Sequence, residues 1–262
     1  MLNVVTLNLL NDLSRWSERA PLIVDELRRL QPDLIALQEV VLPGNTAQWI
    51  ADELDGYSVH LSPKTGRLRD REGLAILSRL PVQSHASMAL GNQNRVAQMV
   101  TLRNGSGTWA FANAHMYWNP VDDLTRLRQV RRLLNWLPGD VPVVVCGDFN
   151  AEPNYPSMAA MRERFVSAHY AAHGYEPLYT CPTPLHRGRG PRHSMRRGAI
   201  RVLGHLFRHE DRSWKGTIDF IYVDRGVSVR HCAVAFDRAA GHDAQLYPSD
   251  HLGLSATVEV PQ

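Results

Sequence analysis

What is scarce in this sequence narrows it first. Cysteine occurs three times, at Cys146, Cys181 and Cys232. Three widely separated cysteines exclude a disulfide framework, match no zinc spacing and suit a reducing compartment. Lysine is nearly missing: Lys64 and Lys215 stand alone among 29 basic residues, so arginine carries the positive charge. No apolar run reaches the roughly 18 residues that cross a bilayer. The stretch "MLNVVTLNLLND" breaks into polar residues too early for a signal h-region. The expectation is a soluble, cytoplasmic monomer with no membrane partner. Internal repeats are missing too, and no shift in composition divides the chain. One domain over 1–262 is therefore expected.

What is present is ordinary in amount and uneven in place. Apolar residues make up 44% and charged residues 21%, a globular balance that argues against disorder. The net charge of +3 hides a basic segment. Arg187, Arg189, Arg192, Arg196, Arg197, Arg201, Arg208, Arg212 and Lys215 face only Glu210 and Asp211, a local +7. Such a concentration favours a polyanionic partner. The same stretch is rich in Pro and Gly and has no period, so about 180–215 reads as a basic loop or lid, with a short helix near 199–207.

Elsewhere short apolar strands alternate with amphipathic helices. "LNVVTLN" (2–8), "DLIALQEV" (33–40), "YSVHL", "GLAILS", the 141–147 run, "GTIDFIYV" (216–223), "VSVRHCAVAF" (227–236) and "LGLSATVEV" (252–260) read as strands. "VAQMVTLRN" and "TWAFANAHM", with "GSG" between them, read as a hairpin, so part of the sheet structure is antiparallel. Helical spacing marks 16–32, 46–54 and 122–137. The class is α/β, with two layers of strands between helices.

Several strands end in polar residues that an apolar core rejects. Asn8, Glu39, His115, Asp148 and Asn150 follow apolar runs; Asp219 sits inside "TIDFIYV"; Ser249, Asp250 and His251 precede the last strand. Each would cost a few kcal/mol if buried alone, so their number argues for a shared cleft. Glu39, Asp148, Asp250, Asn8 and Asn150 offer hard oxygens and no thiolate, a set suited to Mg²⁺ or Mn²⁺. His115 and His251 can supply a base and a donor to a phosphoryl oxygen, and Asp219 can orient an imidazole. Together these are the parts of a phosphate-ester hydrolysis site.

The motifs "TLN" (6–8), "LQEV" (37–40), "GLAILSR" (73–79), "NAHMYW" (113–118), "GDFNAEP" (147–153), "GTIDFIYV" and "SDH" (249–251) resemble, in order, those of the endonuclease/exonuclease/phosphatase superfamily. That fold is shared by DNase I, abasic-site endonucleases, inositol polyphosphate 5-phosphatases and Ccr4-type deadenylases. The resemblance implies a four-layer αββα sandwich of two mixed, largely antiparallel sheets. It implies Glu39 as principal metal ligand with Asn8 and Asp250, and His251 as catalytic histidine paired with Asp219. Asp148 and Asn150 would position water and a phosphate oxygen, and His115 would bind the scissile phosphate. Abasic-site endonucleases carry an acidic residue where this chain has Leu10, a departure from that subfamily. "AHMYWNPVDDLTRLRQVRRLL" and "WKGTIDFIYV" are similar to the deadenylase–nocturnin–Angel branch, where an aromatic and a Pro help hold a nucleobase. Pro120, Trp214 and Arg126 are accordingly expected at the substrate.

The resulting expectation is a Mg²⁺- or Mn²⁺-dependent phosphodiesterase acting on single-stranded nucleic acid ends. A phosphatase on a small nucleotide or dinucleotide phosphate is the second reading. A lipid or inositol phosphate hydrolase and a non-catalytic binding module stand behind both.

Overall fold

A computed structural model of the chain describes residues 1–105, 107–185 and 214–261. Of the segment read as a basic lid, about 180–215, residues 186–213 and the helix expected within them lie outside the described residues.

Two six-stranded sheets form the centre. The first contains β1 (Leu2–Asn8), β2 (Leu34–Val41), β3 (Ser58–Pro63), β4 (Glu72–Ser78), β11 (Ser228–Ala235) and β12 (Gly253–Glu259), in the order β11-β12-β1-β2-β4-β3. The second contains β5 (Val82–Gly91), β6 (Arg95–Asn104), β7 (Gly107–His115), β8 (Val143–Asp148), β9 (Phe165–Ser167) and β10 (Asp219–Asp224), in the order β5-β6-β7-β8-β10-β9. The helices among the described residues are α1 (Trp16–Leu30), α2 (Thr46–Leu54), α3 (Asp123–Trp136), α4 (Pro156–Arg164) and α5 (Ala168–His173).

The strand period of two explains the layers. On β1, Val4 packs between the sheets with Leu34, Ile76, Phe111, Val144 and Ile221. Its neighbour Val5 points the other way, against Ile23 and Leu27 of α1 and Ile50 of α2. On the far side, Val143, Val145, Phe220 and Tyr222 meet Val130 and Leu133 of α3 and Met158 and Met161 of α4. Both faces of the central strands are thus buried, which is why they read as nearly continuous apolar runs. The order of layers is helix, sheet, sheet, helix, as the sequence led one to expect. No described helix is long and apolar enough to cross a membrane.

Strand direction then gathers one set of ends. β1 and β2 run parallel, and so do β7 and β8, so their C-terminal ends share an edge. β4, β6, β10 and β12 are antiparallel to these neighbours and bring their N-terminal ends to the same edge. The hairpin of β6 and β7 pairs as expected. β5, α4, β9 and α5 were not anticipated.

Candidate active site

The edge where these ends meet holds nearly every polar residue singled out above. Asp148 is the hinge of the arrangement. It ends β8, pairs in register with His115 of β7 on one side and with Asp219 of β10 on the other. Gly147 makes that register possible. Its φ is +148°, and a Cβ there would lie 1.9 Å from the carbonyl oxygen of Ala114, so no side chain fits. Asp148 Oδ2 accepts from Asn8 Nδ2 across the two sheets at 3.0 Å and lies 3.3 Å from His115 Nε2. Asp148 Oδ1 accepts from the Asn150 amide at 2.9 Å.

Glu39 arrives by a different device. The β2–β4 register slips between Leu37 and Val40, and Glu39 adopts φ +56°. A bulge of this kind re-aims one side chain at the rim of a sheet. The residue is half-buried, and Oε2 accepts from the Asn11 amide at 2.9 Å. Burial pushes the carboxyl up, but that amide and the charges of Arg95, His251 and Lys64 outweigh it and hold Glu39 below its usual range.

Three further charged residues share this corner and escaped the sequence reading. Glu72 opens β4, Arg95 opens β6, and Lys64 follows β3; all three are buried. Glu72 forms an ion pair with Lys64, lies 3.8 Å from Arg95 Nη1 and accepts from Asn11 Nδ2 at 2.7 Å. One signal was available: a lone lysine in the first two hundred residues of an arginine-using chain.

The two histidines are held in opposite states. Arg95 Nη1 lies 2.7 Å from His115 Nδ1. A guanidinium only donates, so Nδ1 accepts and the proton belongs on Nε2, toward Asp148. Burial, then Arg95 and Lys64, push the His115 pKa well down. His251 Nδ1 instead lies 3.0 and 3.3 Å from the Asp219 oxygens. Burial pulls His251 down, yet the Asp219 carboxylate, with help from Cys181, outweighs it and lifts its pKa well above the usual value. Asp148 is pushed up to about 7 by burial and by Asp219, against the pull of His251, Arg95 and the Asn150 amide.

Local hydrogen bonds fix the remaining parts. Ser249 Oγ donates to the Asn8 carbonyl at 2.6 Å and accepts from the His251 amide at 3.3 Å. Thr180 Oγ1 accepts from the amides of Ile218 and Asp219, and its carbonyl accepts from Leu252. Two clusters bring metal-ligating atoms within 4.8 Å of one another: Glu39 with Glu72 and His115, and Asp148 with Asp219 and His251. Asp250 is buried beside Ser249 but falls in neither cluster.

The residues expected at the substrate divide. Pro120 is exposed, on the loop between β7 and α3. Trp214 is 44% exposed and donates from Nε1 to Glu152 Oε1 at 3.0 Å, which ties it to the loop after Asp148. Arg126 is different. It is fully buried, and its guanidinium is committed to Asp123 Oδ1 at 3.1 Å and to the carbonyls of Tyr117, Asn119 and Pro120, with Tyr155 against it. Its expected substrate contact is therefore corrected: Arg126 braces the loop that carries Pro120 from behind, because it is fully buried and four of its five N–H donors go to Asp123 and three carbonyls.

Comparison with known proteins agrees with this picture. The chain matches the model of the Endonuclease/Exonuclease/phosphatase family over residues 5–251. Human nocturnin is 28% identical over 272 residues, covering 92% of this chain and 57% of nocturnin. Carbon catabolite repressor protein 4 homolog 3 of Arabidopsis thaliana is 31% identical over 165 residues, 54% of this chain and 34% of its own length. The chain thus spans less than two thirds of the curated relatives it matches. The human nocturnin catalytic domain with bound sulfate superposes with a TM-score of 0.75 at 23% identity, over 99% of this chain and 93% of that one. TDP2 of D. rerio, complexed with single strand DNA product, gives 0.75 at 14% identity over 99% of both chains. The two sheets, the layer order and the matched motifs all agree: the chain belongs to the endonuclease/exonuclease/phosphatase family.

Proposed function

We propose that this protein is a divalent-metal-dependent phosphodiesterase acting on single-stranded nucleic acid ends. The observation that carries the reading is the pairing of an Asp219-held His251 with a second corner of carboxylates, Glu39 and Glu72, at one sheet edge. The donor set fits Mg²⁺ or Mn²⁺: Glu39 is kept ionised and is the half-buried residue of its cluster, and neither cluster of candidate ligands contains a cysteine. Glu39, supported by Glu72, Asn8 and Asp250, would hold the ion, which when bound neutralises charge on the phosphoryl group.

The protein's own groups supply the rest. His251, with Nδ1 held by Asp219, has its pKa raised, which favours its protonated form as a donor to a phosphoryl oxygen. Asp148, with a pKa of about 7, is suited to accept a proton from water, because a base works best when its pKa lies near the working pH. Asn150 holds Asp148 through its amide. Burial, then Arg95, favour neutral His115, which donates from Nε2.

The second reading, a phosphatase on a small nucleotide phosphate, uses the same groups, and the similarity to nocturnin favours keeping it. One experiment tests both. Labelled RNA, labelled DNA and a panel of nucleotide phosphates are incubated with the protein, with and without EDTA, beside Glu39→Ala. Cleavage of oligonucleotides that chelation abolishes, Mg²⁺ restores and Glu39→Ala lacks is expected. Release of phosphate from nucleotides alone shifts the conclusion to the second reading. Full turnover in excess chelator removes the metal from both.

A further inference from the structure

The Arg-bearing groove beside α3 has no place in the chemistry just described. It is a cleft of about 450 Å³ between the β5–β6 turn and α3. Gly91 and Asn92 form one wall, and Arg128, Gln129, Arg131 and Arg132 the other. The two walls are tied together. Gln129 Nε2 donates to the Asn92 carbonyl at 3.4 Å, and Arg132 Nη1 to the Leu90 carbonyl at 3.4 Å. Gly91 has φ +82°, and a Cβ there would meet Arg132 Nη1 at 3.2 Å.

The charge of this groove is one-sided. Arg128, Arg131 and Arg132 are all exposed and share one face of α3, at i, i+3 and i+4. No carboxylate lines the cleft. Asp122 lies within electrostatic reach of Arg128, but its oxygens already accept from Thr125 N and Thr125 Oγ1. Helix α1 provides an internal contrast. There Arg28 and Arg29 each sit three residues after an acid and pair with it, Arg28 with Asp25 and Arg29 with Glu26. Like charges three and four apart on a helix repel, so the cluster on α3 is an uncompensated cost that an anion would remove.

The groove is also tied to the reactive edge through a buried side chain. Gln129, which binds Asn92 on one side, accepts from the Tyr117 amide at 2.8 Å on the other. Tyr117 lies two residues after His115, and Asn92 three before Arg95. One side chain therefore links the groove to both segments that deliver Arg95 and His115.

We propose that this groove holds the phosphodiester backbone of a single nucleic-acid strand, at phosphates beyond the reacting one. The proposal rests on the phosphodiesterase reading and sharpens it: the substrate is a polynucleotide, and the strand leaves the site along α3.

The test is a length series. Wild-type protein and an Arg128→Gln/Arg131→Gln/Arg132→Gln variant are assayed on dinucleotides and on RNA and DNA strands of increasing length, with bis-p-nitrophenyl phosphate as a substrate too small to reach the groove. Circular dichroism and thermal unfolding check that the variant folds. Wild-type KM should fall as the strand lengthens, and the variant should lose that gain, about tenfold or more, while turnover of the small ester stays unchanged. The slope of log affinity against log salt should drop by about 2 for three lost phosphate contacts, at roughly 0.7 each for single strands. A variant with wild-type KM and salt slope on long strands overturns the groove assignment and leaves the phosphodiesterase reading standing. Equal losses on strands and on the small ester overturn it as well, because the arginines would then serve the fold. Wild-type protein that hydrolyses nucleotide phosphates but no strand of any length overturns both.

Discussion

Replacing Asn113 should destabilise the protein and loosen Glu39 in the same stroke. Asn113 is fully buried on β7 of the second sheet, yet its amide reaches the first. Nδ2 donates to the carbonyls of Leu37 and Ala75, both at 2.9 Å, and Oδ1 accepts from Gln38 Nε2 at 2.8 Å. Leu37 and Ala75 face each other at the last regular pair before the β2–β4 register slips. Asn113 therefore supports the bulge that turns Glu39 into the site. Asn113→Asp keeps the size of the side chain but points acceptors at two carbonyls. Each buried polar group left without its partner costs about 1–3 kcal/mol, so the two lost bonds give roughly 2–6 kcal/mol. Urea unfolding at pH 7 measures the loss, with the slope m compared to confirm an unchanged native state. Repeating it with Mg²⁺ reports on Glu39, since an ion that binds only the folded state stabilises it. The variant should gain less from Mg²⁺ than the wild type. A loss below about 0.5 kcal/mol, with the full Mg²⁺ gain retained, would refute the reasoning. The bulge would then hold its shape without help from β7.

Two more outcomes follow from groups outside the metal corner. Burial raises the Glu176 pKa above its ordinary 4.5, against the Ser167 hydrogen bond and Arg162; stability tied to it is full below pH 4.5 and fades as pH rises through the folded value. Glu176→Gln should thus raise the melting temperature at pH 7 and hardly alter it at pH 4, and a lower melting temperature at pH 7 would contradict this. Trp214→Ala should raise KM for a nucleotide substrate about tenfold, in line with about 1–3 kcal/mol for base stacking; an equal loss on a small ester lacking a base would make Trp214 structural.

Much of the fold was legible because the central strands are buried on both faces. Val4 and Val5 on β1, and Val143, Val144 and Val145 on β8, are all core residues, so burial writes an unbroken apolar run. β5 was illegible for the opposite reason. Among the described strands it is an edge strand, paired only with β6, and most of "VQSHASMALG" is exposed. Its pairing comes from the neighbour, not from its own pattern. α4 fails similarly: "PSMAAMRER" buries small residues and two methionines, and no apolar stripe sets it apart.

The site divides along a line set by strand direction. Polar residues after an apolar run are visible as an anomaly, and Asn8, Glu39, His115 and Asp148 were singled out that way. Glu72 and Arg95 are the first residues of their strands, where a charge is unremarkable. They become site residues only because β4 and β6 run antiparallel to β2 and β7. That pairing also decides the chemistry. His115 and His251 look equivalent in sequence, each at the edge of a strand. One faces Arg95, twenty positions away, and is held neutral; the other faces Asp219, thirty-two away, and is held charged. Exchanging their environments would exchange their roles. The opposite protonation preferences of the two imidazoles are thus a property of which strand ends the two sheets bring together.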